Sequence, residues 1–329
     1  MFFWKTDETN FAQETINSKN STCIIDSKRS VMKKAKLPLA KKFTWGKIKN
    51  AAKEYGKLAL ILFIVTSSLI QGSRVPTPSM ETTIMTGDFL MTNKLAYDLT
   101  TPRNIPLTDI ALPFTQLLKW DNLDRGDIVV FEFPGNRDEI KNTKIENYVK
   151  RCVAVAGDTL EVRDKILYVN GKEAAIPVHI QYSRNYILPK DYLEDEIFPR
   201  GTKGNADHYG PIVVPKQGDI INLSSLNIEQ WKTFINREYG KDVVKIESGK
   251  IYVDRKETTQ YKALDDYYFT MGDNRDNSLD SRYWGFVPRR NVIGTPLFVY
   301  WSWDSNIPFS DFFNLLASVR LDRIGKIVN

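Results

Sequence analysis

The sequence predicts a mainly β fold: a membrane-anchored, two-lobed β protein with one N-terminal transmembrane helix. Three features of the 329 residues carry that expectation. One long uncharged apolar run, Leu58 to Ile70, sits between Lys57 and Arg74. Beyond it, Gly-Asp pairs at Gly87, Gly126, Gly157, Gly218 and Gly272 punctuate the chain, as turns between strands do. Charge is divided unevenly: 13 Lys/Arg against 5 Asp/Glu up to Lys57, then 33 against 35 in the remainder.

The uncharged stretch of sixteen residues from Leu58 to Ser73 would span about 24 Å as a helix, short of a hydrocarbon layer of about 30 Å. Snorkelling by Lys57 and Arg74 and extension past Tyr55 make up the difference; a buried core helix is the alternative. The clustered cations before the run follow the positive-inside rule. They assign residues 1–55 to a basic cytoplasmic tail, 56–73 to the transmembrane helix, and everything after it to the exterior face of a cytoplasmic (inner) membrane. A cleaved signal peptide fits less well, because its charged region would be 57 residues long. All the excess basicity is N-terminal, so no nucleic-acid face is expected on the folded part. The first 30 residues are polar and expected to be disordered. Cys23 and Cys152 fall on opposite sides of the membrane and are not expected to pair.

After Arg74, four of the Gly-Asp pairs open onto candidate strands: Phe89 to Leu95, Ile128 to Phe133, Thr159 to Val162 and Ile220 to Leu223. Asn170-Gly171 marks a hairpin after Ile166 to Val169, and Lys250 to Asp254 reads as another strand. Helices are expected only at Asn227 to Glu238 and near Phe309 to Ser318. Residues 98–125, with mixed polarity, read as an irregular excursion, and no tandem repeat is present.

Three segments carry chemistry. Ser79, in Val75-Pro76-Thr77-Pro78-Ser79-Met80, follows the apolar run by nine residues and is a candidate nucleophile at a membrane surface. Lys150, in Tyr148-Val149-Lys150-Arg151-Cys152, shares one face of a strand with Tyr148, Cys152 and Ala154, while Arg151 faces the other way. Desolvation that lowers a lysine pKa by about three units makes it a usable base at a cost of about 4 kcal/mol. A lysine snorkelling from a strand end is the plainer reading. The third segment, Gly272 to Pro288, interleaves Asp, Asn, Arg and Ser in a loop able to hold Ser278 in one place. A solvated turn or a calcium loop are its rivals, although Arg275 occupies a would-be ligand position. Only two histidines exist, His179 and His208, and neither adjoins these segments, which favours lysine over histidine as the base for Ser79. No metal spacing, phosphate-cradling loop or dinucleotide fingerprint is present, so no cofactor and no metal is expected.

In their order, and with the apolar run ahead of them, these segments resemble type I signal peptidases, the membrane-anchored Ser/Lys endopeptidases that cut signal peptides from exported preproteins. The resemblance runs from about Lys57 to the C-terminus. It implies that Ser79 is the acyl-forming nucleophile, Lys150 the general base, Ser278 the hydroxyl that orients the lysine, and Thr77 a donor to the oxyanion. Asp280 and Arg282 would fix the loop, and Val75 and Val149 would line shallow pockets for small residues at −1 and −3. Pro78 replaces a glycine found in some members, and Thr82 stands where a proline is common. The motifs divide the exterior part into a catalytic β domain, 74–160 with 269–329, and an inserted smaller lobe, 161–268. Signal peptides of preproteins are the partners the resemblance implies; membrane lipid is a further expected partner, and the protein is expected to be a monomer. A catalytically inactive membrane-anchored scaffold of the same fold is the alternative. The aromatic cluster around Phe298 to Trp303 and Phe309 to Leu316 is either core or a headgroup-layer contact.

Overall fold

The computed structural model describes residues 45–64, 68–101, 112, 115–142 and 144–328. The tail before residue 45, with Cys23, lies outside them. A 20-residue α-helix, Trp45–Ile64, opens the described chain. Lys47, Lys49, Lys53, Glu54 and Lys57 fall within its first thirteen positions, and only residues 58–64 are continuously apolar. Leu58, Leu60, Ile61 and Leu62 are each more than half exposed.

The expected transmembrane helix over 56–73 is therefore corrected. The described helix covers Trp45–Ile64, and Ile70–Arg74 is a strand paired antiparallel with Asp88–Asn93 in the register Ile70↔Asn93 to Arg74↔Phe89, so a helix does not reach residue 73. Gly72, a poor helix former, does little to oppose that ladder. The apolar run is thus shared between two elements. No helix among the described residues is long and apolar enough to cross a membrane.

Seven antiparallel strands form the main sheet in the order Ile70–Arg74, Asp88–Asn93, Val292–Ser302, Ile128–Glu132, Asn147–Ala154, Tyr267–Met271 and Val287–Pro288. Its strands come from residues 70–154 and 267–302. Ile128–Glu132 is buried on both faces, which explains its uninterrupted apolar sequence. Ile128 packs with Val75, Met80 and Ile84 beneath the Ser79 turn, while Val129 and Phe131 pack with Cys152 and Trp284 on the other face.

Residues between 155 and 266 build smaller sheets. One has four strands, Tyr209–Val213, Thr159–Arg163, Ile166–Val169 and Lys172–Glu173; another has three, Val244–Glu247, Lys250–Val253 and Lys256–Glu257. A pair, Ile220–Asn222 with Gln260–Lys262, and the helix Ile228–Tyr239 complete this part. Leu160, Phe234 and Ile235 share one core with Val153, Phe269 and Phe286 of the main-sheet region.

Four Gly-Asp pairs make the same turn. Gly87, Gly126, Gly157 and Gly218 have φ of 91°, 100°, 90° and 94°, where an L side chain would be strained. In each, the aspartate accepts the backbone N–H three residues before it, from Met85, Asp124, Val155 and Lys216 respectively. Gly272-Asp273 does otherwise, as described below. The hairpin expected at Asn170-Gly171 is present, with φ of 53° and 74° and Val169 paired to Lys172. Within the excursion expected over 98–125, Asp98–Thr100 and Gln116–Lys119 pair antiparallel. The second expected late helix is short, Phe312–Ala317.

Candidate active site

The turn bearing Ser79 is held at both ends. Val75 continues the edge-strand ladder, with Val75 N–H donating to Asp88 O at 2.9 Å and Gly87 N–H to Val75 O at 2.9 Å. Thr77 is extended, and Pro78, with its φ fixed, begins a single 3₁₀ turn, Pro78–Met80. Beyond the turn, Asn274 clamps the backbone: its N–H donates to Ser79 O at 3.1 Å and its side-chain amide to Pro78 O at 3.2 Å. Ser79 is 7% exposed.

Lys150 lies on Asn147–Ala154. One edge of that strand pairs with Ile128–Glu132 from Asn147 to Arg151, including Val129↔Lys150. The other edge pairs with Tyr267–Met271 only from Arg151 onward, through Met271↔Arg151 and Phe269↔Ala154. Residues 147–150 thus extend past the end of that neighbour. There they and Arg74–Thr77 line a cleft of about 40 Å³ that holds Ser79 and Lys150, with Val75 and Val149 in its wall. The two valines pack in one cluster with Met80.

Lys150 Nζ stands 2.6 Å from Ser79 Oγ, as donor while it is an ammonium, and 3.1 Å from Val149 O. It is 3% exposed, with the Tyr148 and Trp284 rings 5.5 and 5.9 Å away. Burial drives its pKa down to about 8 against the opposing pull of Asp280 and Asp273. The shielding comes from aromatic packing: Phe133 stacks on Tyr148, and Trp284 meets both edge-on. Thr77 Oγ1 is 3.4 Å from Ser79 Oγ.

The loop from Gly272 to Gly285 closes the site from behind. Asp280 and Arg282 form a fully buried two-pronged pair, at 2.9 and 2.8 Å, and Gly272 N–H donates to Asp280 at 3.2 Å. The neighbouring guanidinium and the N–H donors hold the Asp280 carboxyl below the usual range despite its burial. Ser278 lies against Gly272, where an added Cβ would collide with Ser278 Oγ and Ser79 O. Its hydroxyl donates to Leu279 O at 3.4 Å, so in this conformation its hydrogen bond goes to backbone and not to the amine.

Sequence reasoning missed Asp273, Asn274 and Arg151 as parts of this assembly. Arg151 makes a second buried two-pronged pair, with Asp273 at 2.9 and 2.7 Å, which locks the lysine strand to the loop. The signal was available: a residue next to Lys150 on a strand must face the opposite way, and a buried arginine there needs a carboxylate. The histidines lie apart. His179 is exposed and contributes only its carbonyl, to Thr82 Oγ1 at 2.8 Å, and His208 bonds Leu188 O at 2.9 Å.

Residues 48–301 match the family described as signal peptidase, peptidase S26. Proteins named Signal peptidase I are similar over most of the chain. The one from Buchnera aphidicola of Schizaphis graminum (strain Sg) is 30% identical over 278 residues, covering 81% of this chain and 78% of that protein. That of Pseudomonas aeruginosa PAO1 is 29% identical over 274 residues, covering 78% and 76%. That of Aquifex aeolicus VF5 is 28% identical over 257 residues, covering 74% and 81%.

Proposed function

The chain belongs to the signal peptidase S26 family, and from that premise we propose that it cleaves signal peptides from exported preproteins with a Ser79/Lys150 dyad. The observation that carries the dyad is the 2.6 Å approach of a dehydrated lysine amine to the serine hydroxyl. When Lys150 is neutral its lone pair accepts the Ser79 proton as Oγ attacks the scissile carbonyl carbon. The tetrahedral oxyanion is then met by the Thr77 hydroxyl and the Ser79 backbone N–H. The Lys150 ammonium returns its proton to the leaving amine, giving an acyl-enzyme on Ser79. Water, deprotonated by the same amine, hydrolyses the ester.

The substrate chain lies extended along the uncovered edge of residues 147–150, opposite Arg74–Thr77, as an added strand between them. Branched aliphatics at Val75 and Val149 leave room there for small side chains only, which supports cleavage after small residues at −1 and −3. The apolar end of the helix Trp45–Ile64, exposed along Leu58 to Leu62, and the basic residues before it support attachment to a membrane with the tail on the cytoplasmic side.

The test is cleavage of a purified preprotein by the detergent-solubilised protein. Ser79→Ala and Lys150→Ala are each expected to lower the rate by about 10³-fold or more. Normal cleavage by either variant overturns the dyad.

A further inference from the structure

At Arg151 to Val153 the lysine-bearing strand borders a second cavity, of about 570 Å³, which shares no lining residue with the cleft at Ser79. That volume falls in the range of small-molecule sites, about 300–1,000 Å³. Val153, Val169 and Ile176 give it apolar walls, and Arg125, Arg151 and Arg275 give it cations.

Arg275 differs from its peers. Five arginines among the described residues are less than a tenth exposed: Arg151, Arg275, Arg282, Arg289 and Arg323. Four of them pair with a carboxylate, of Asp273, Asp280, Asp98 and Asp88 respectively. Arg275, at 4% exposure, forms no ion pair among the described residues, and its Nε is buried without a hydrogen-bond partner. Burial lowers its pKa, opposed by the charges of Tyr182, Asp280 and Asp273 and aided by the like charge of Arg282. An arginine keeps its charge even so, and a buried charge without a counter-ion is costly.

Of the other cations around the cavity, Arg151 is matched by Asp273 and Arg125 by Asp158, while Lys172 is exposed to solvent. The cavity's one lining carboxylate, Glu173, is exposed and sits next to Lys172. Arg275 also borders a neighbouring cavity of about 340 Å³, but there Arg184 and Lys165 are held by Asp276 and Asp207. The Arg275 backbone is fixed from both sides, its N–H donating to Gln181 O at 3.0 Å and its carbonyl accepting from Arg282 Nη2 at 2.7 Å. The guanidinium is therefore presented from a rigid anchor, as a preorganised oxyanion receptor requires.

We propose that this cavity binds an oxyanion carried on an aliphatic body, with Arg275 holding the oxyanion and Val153, Val169 and Ile176 receiving the chain. The site is separate from the peptide cleft, so its ligand is an effector or a lipid component and not the scissile chain.

Titration calorimetry on the full-length protein tests it, with octanoate, dihexanoyl phosphatidylglycerol below its micelle concentration, and inorganic phosphate as probes. One or both amphiphiles are expected to bind, octanoate alone identifying a free carboxylate as the source and the phospholipid alone a lipid headgroup. Arg275→Gln is expected to weaken binding at least tenfold while keeping the thermal midpoint at or above that of the parent, because it removes a buried charge that forms no ion pair among the described residues. Ala175→Trp, which fills the cavity from an exposed position, is expected to abolish binding and keeps the test decisive should Arg275→Gln not fold. Absence of binding by both amphiphiles, phosphate binding as tightly as either, or unchanged affinity in the variants overturns the proposal.

Discussion

The chemistry proposed at Ser79 depends on Lys150 giving up a proton near neutral pH. With its pKa near 8, about one amine in ten is neutral at pH 7, against a few in ten thousand for a solvated lysine. The rate constant kcat/KM should therefore rise about tenfold per pH unit below 8 and level off above it; a profile flat from pH 6 to 10 rules out Lys150 as the base. The same displacement has a stability consequence with a definite sign. Between about 8 and 10.5 the unfolded chain holds this proton and the folded one does not, so stability climbs with pH across that window and is flat below it. Lys150→Met removes the climb and should stabilise the inactive protein at pH 7 by up to about 3 kcal/mol, read from urea midpoints. Thr77 is tested separately. Thr77→Val should lower kcat about a hundredfold with little change in KM, and Thr77→Ser should restore it, because only the hydroxyl is asked to meet the oxyanion. Equal loss in both variants would assign Thr77 to backbone shape instead.

At the level of elements, the loop from Gly272 to Gly285 brings the separate segments into one site. Gly272 has no positive φ to explain its glycine; it is there because the Ser79 carbonyl and Ser278 hydroxyl leave no room for a Cβ. Gly272→Ala is expected to abolish cleavage by displacing one of the two, while the thermal midpoint moves far less than the activity. Removing half of the Asp280–Arg282 pair is different, since it strands a buried charge. Asp280→Asn should cost about 3–5 kcal/mol of stability, and joint replacement of both residues by leucine should cost less than the two single changes summed. Legibility from sequence varied for the same physical reason. The strands after Gly87, Gly126 and Gly157 could be read because those turns are local, a positive-φ glycine and an aspartate bonding three residues back. Asp273 looks identical on paper, yet its partner Arg151 is 122 positions away, and no local pattern announces a contact of that range. Ser79 and Lys150 were legible because their neighbours form distinctive segments, not because anything in the sequence states their 2.6 Å separation.

On the scale of the whole molecule, one sheet is assembled from two distant stretches, residues 70–154 and 267–302, with the smaller sheets built from what lies between. That interleaving places Ser79, Lys150 and the loop together although 71 positions separate the first two. That the apolar run passes into a strand by Ile70 was not legible. A short apolar run of branched residues suits helix and strand alike, and only the ladder with Asp88–Asn93 claims Ile70 for the sheet. On the proposed membrane attachment, charge sets the orientation. The net +8 up to Lys57, against −2 over the rest, favours retention of the tail on the cytoplasmic side. If residues 58–70 rearrange in lipid to span it, a reporter fused after Asn329 reads from the exterior face, and the protein stays with the membrane through an alkaline carbonate wash. If the helix only lies on the surface as folded here, the wash releases the protein and the reporter reads from the cytoplasm. The exterior result is expected, because an active site facing the tail would meet preproteins before their export.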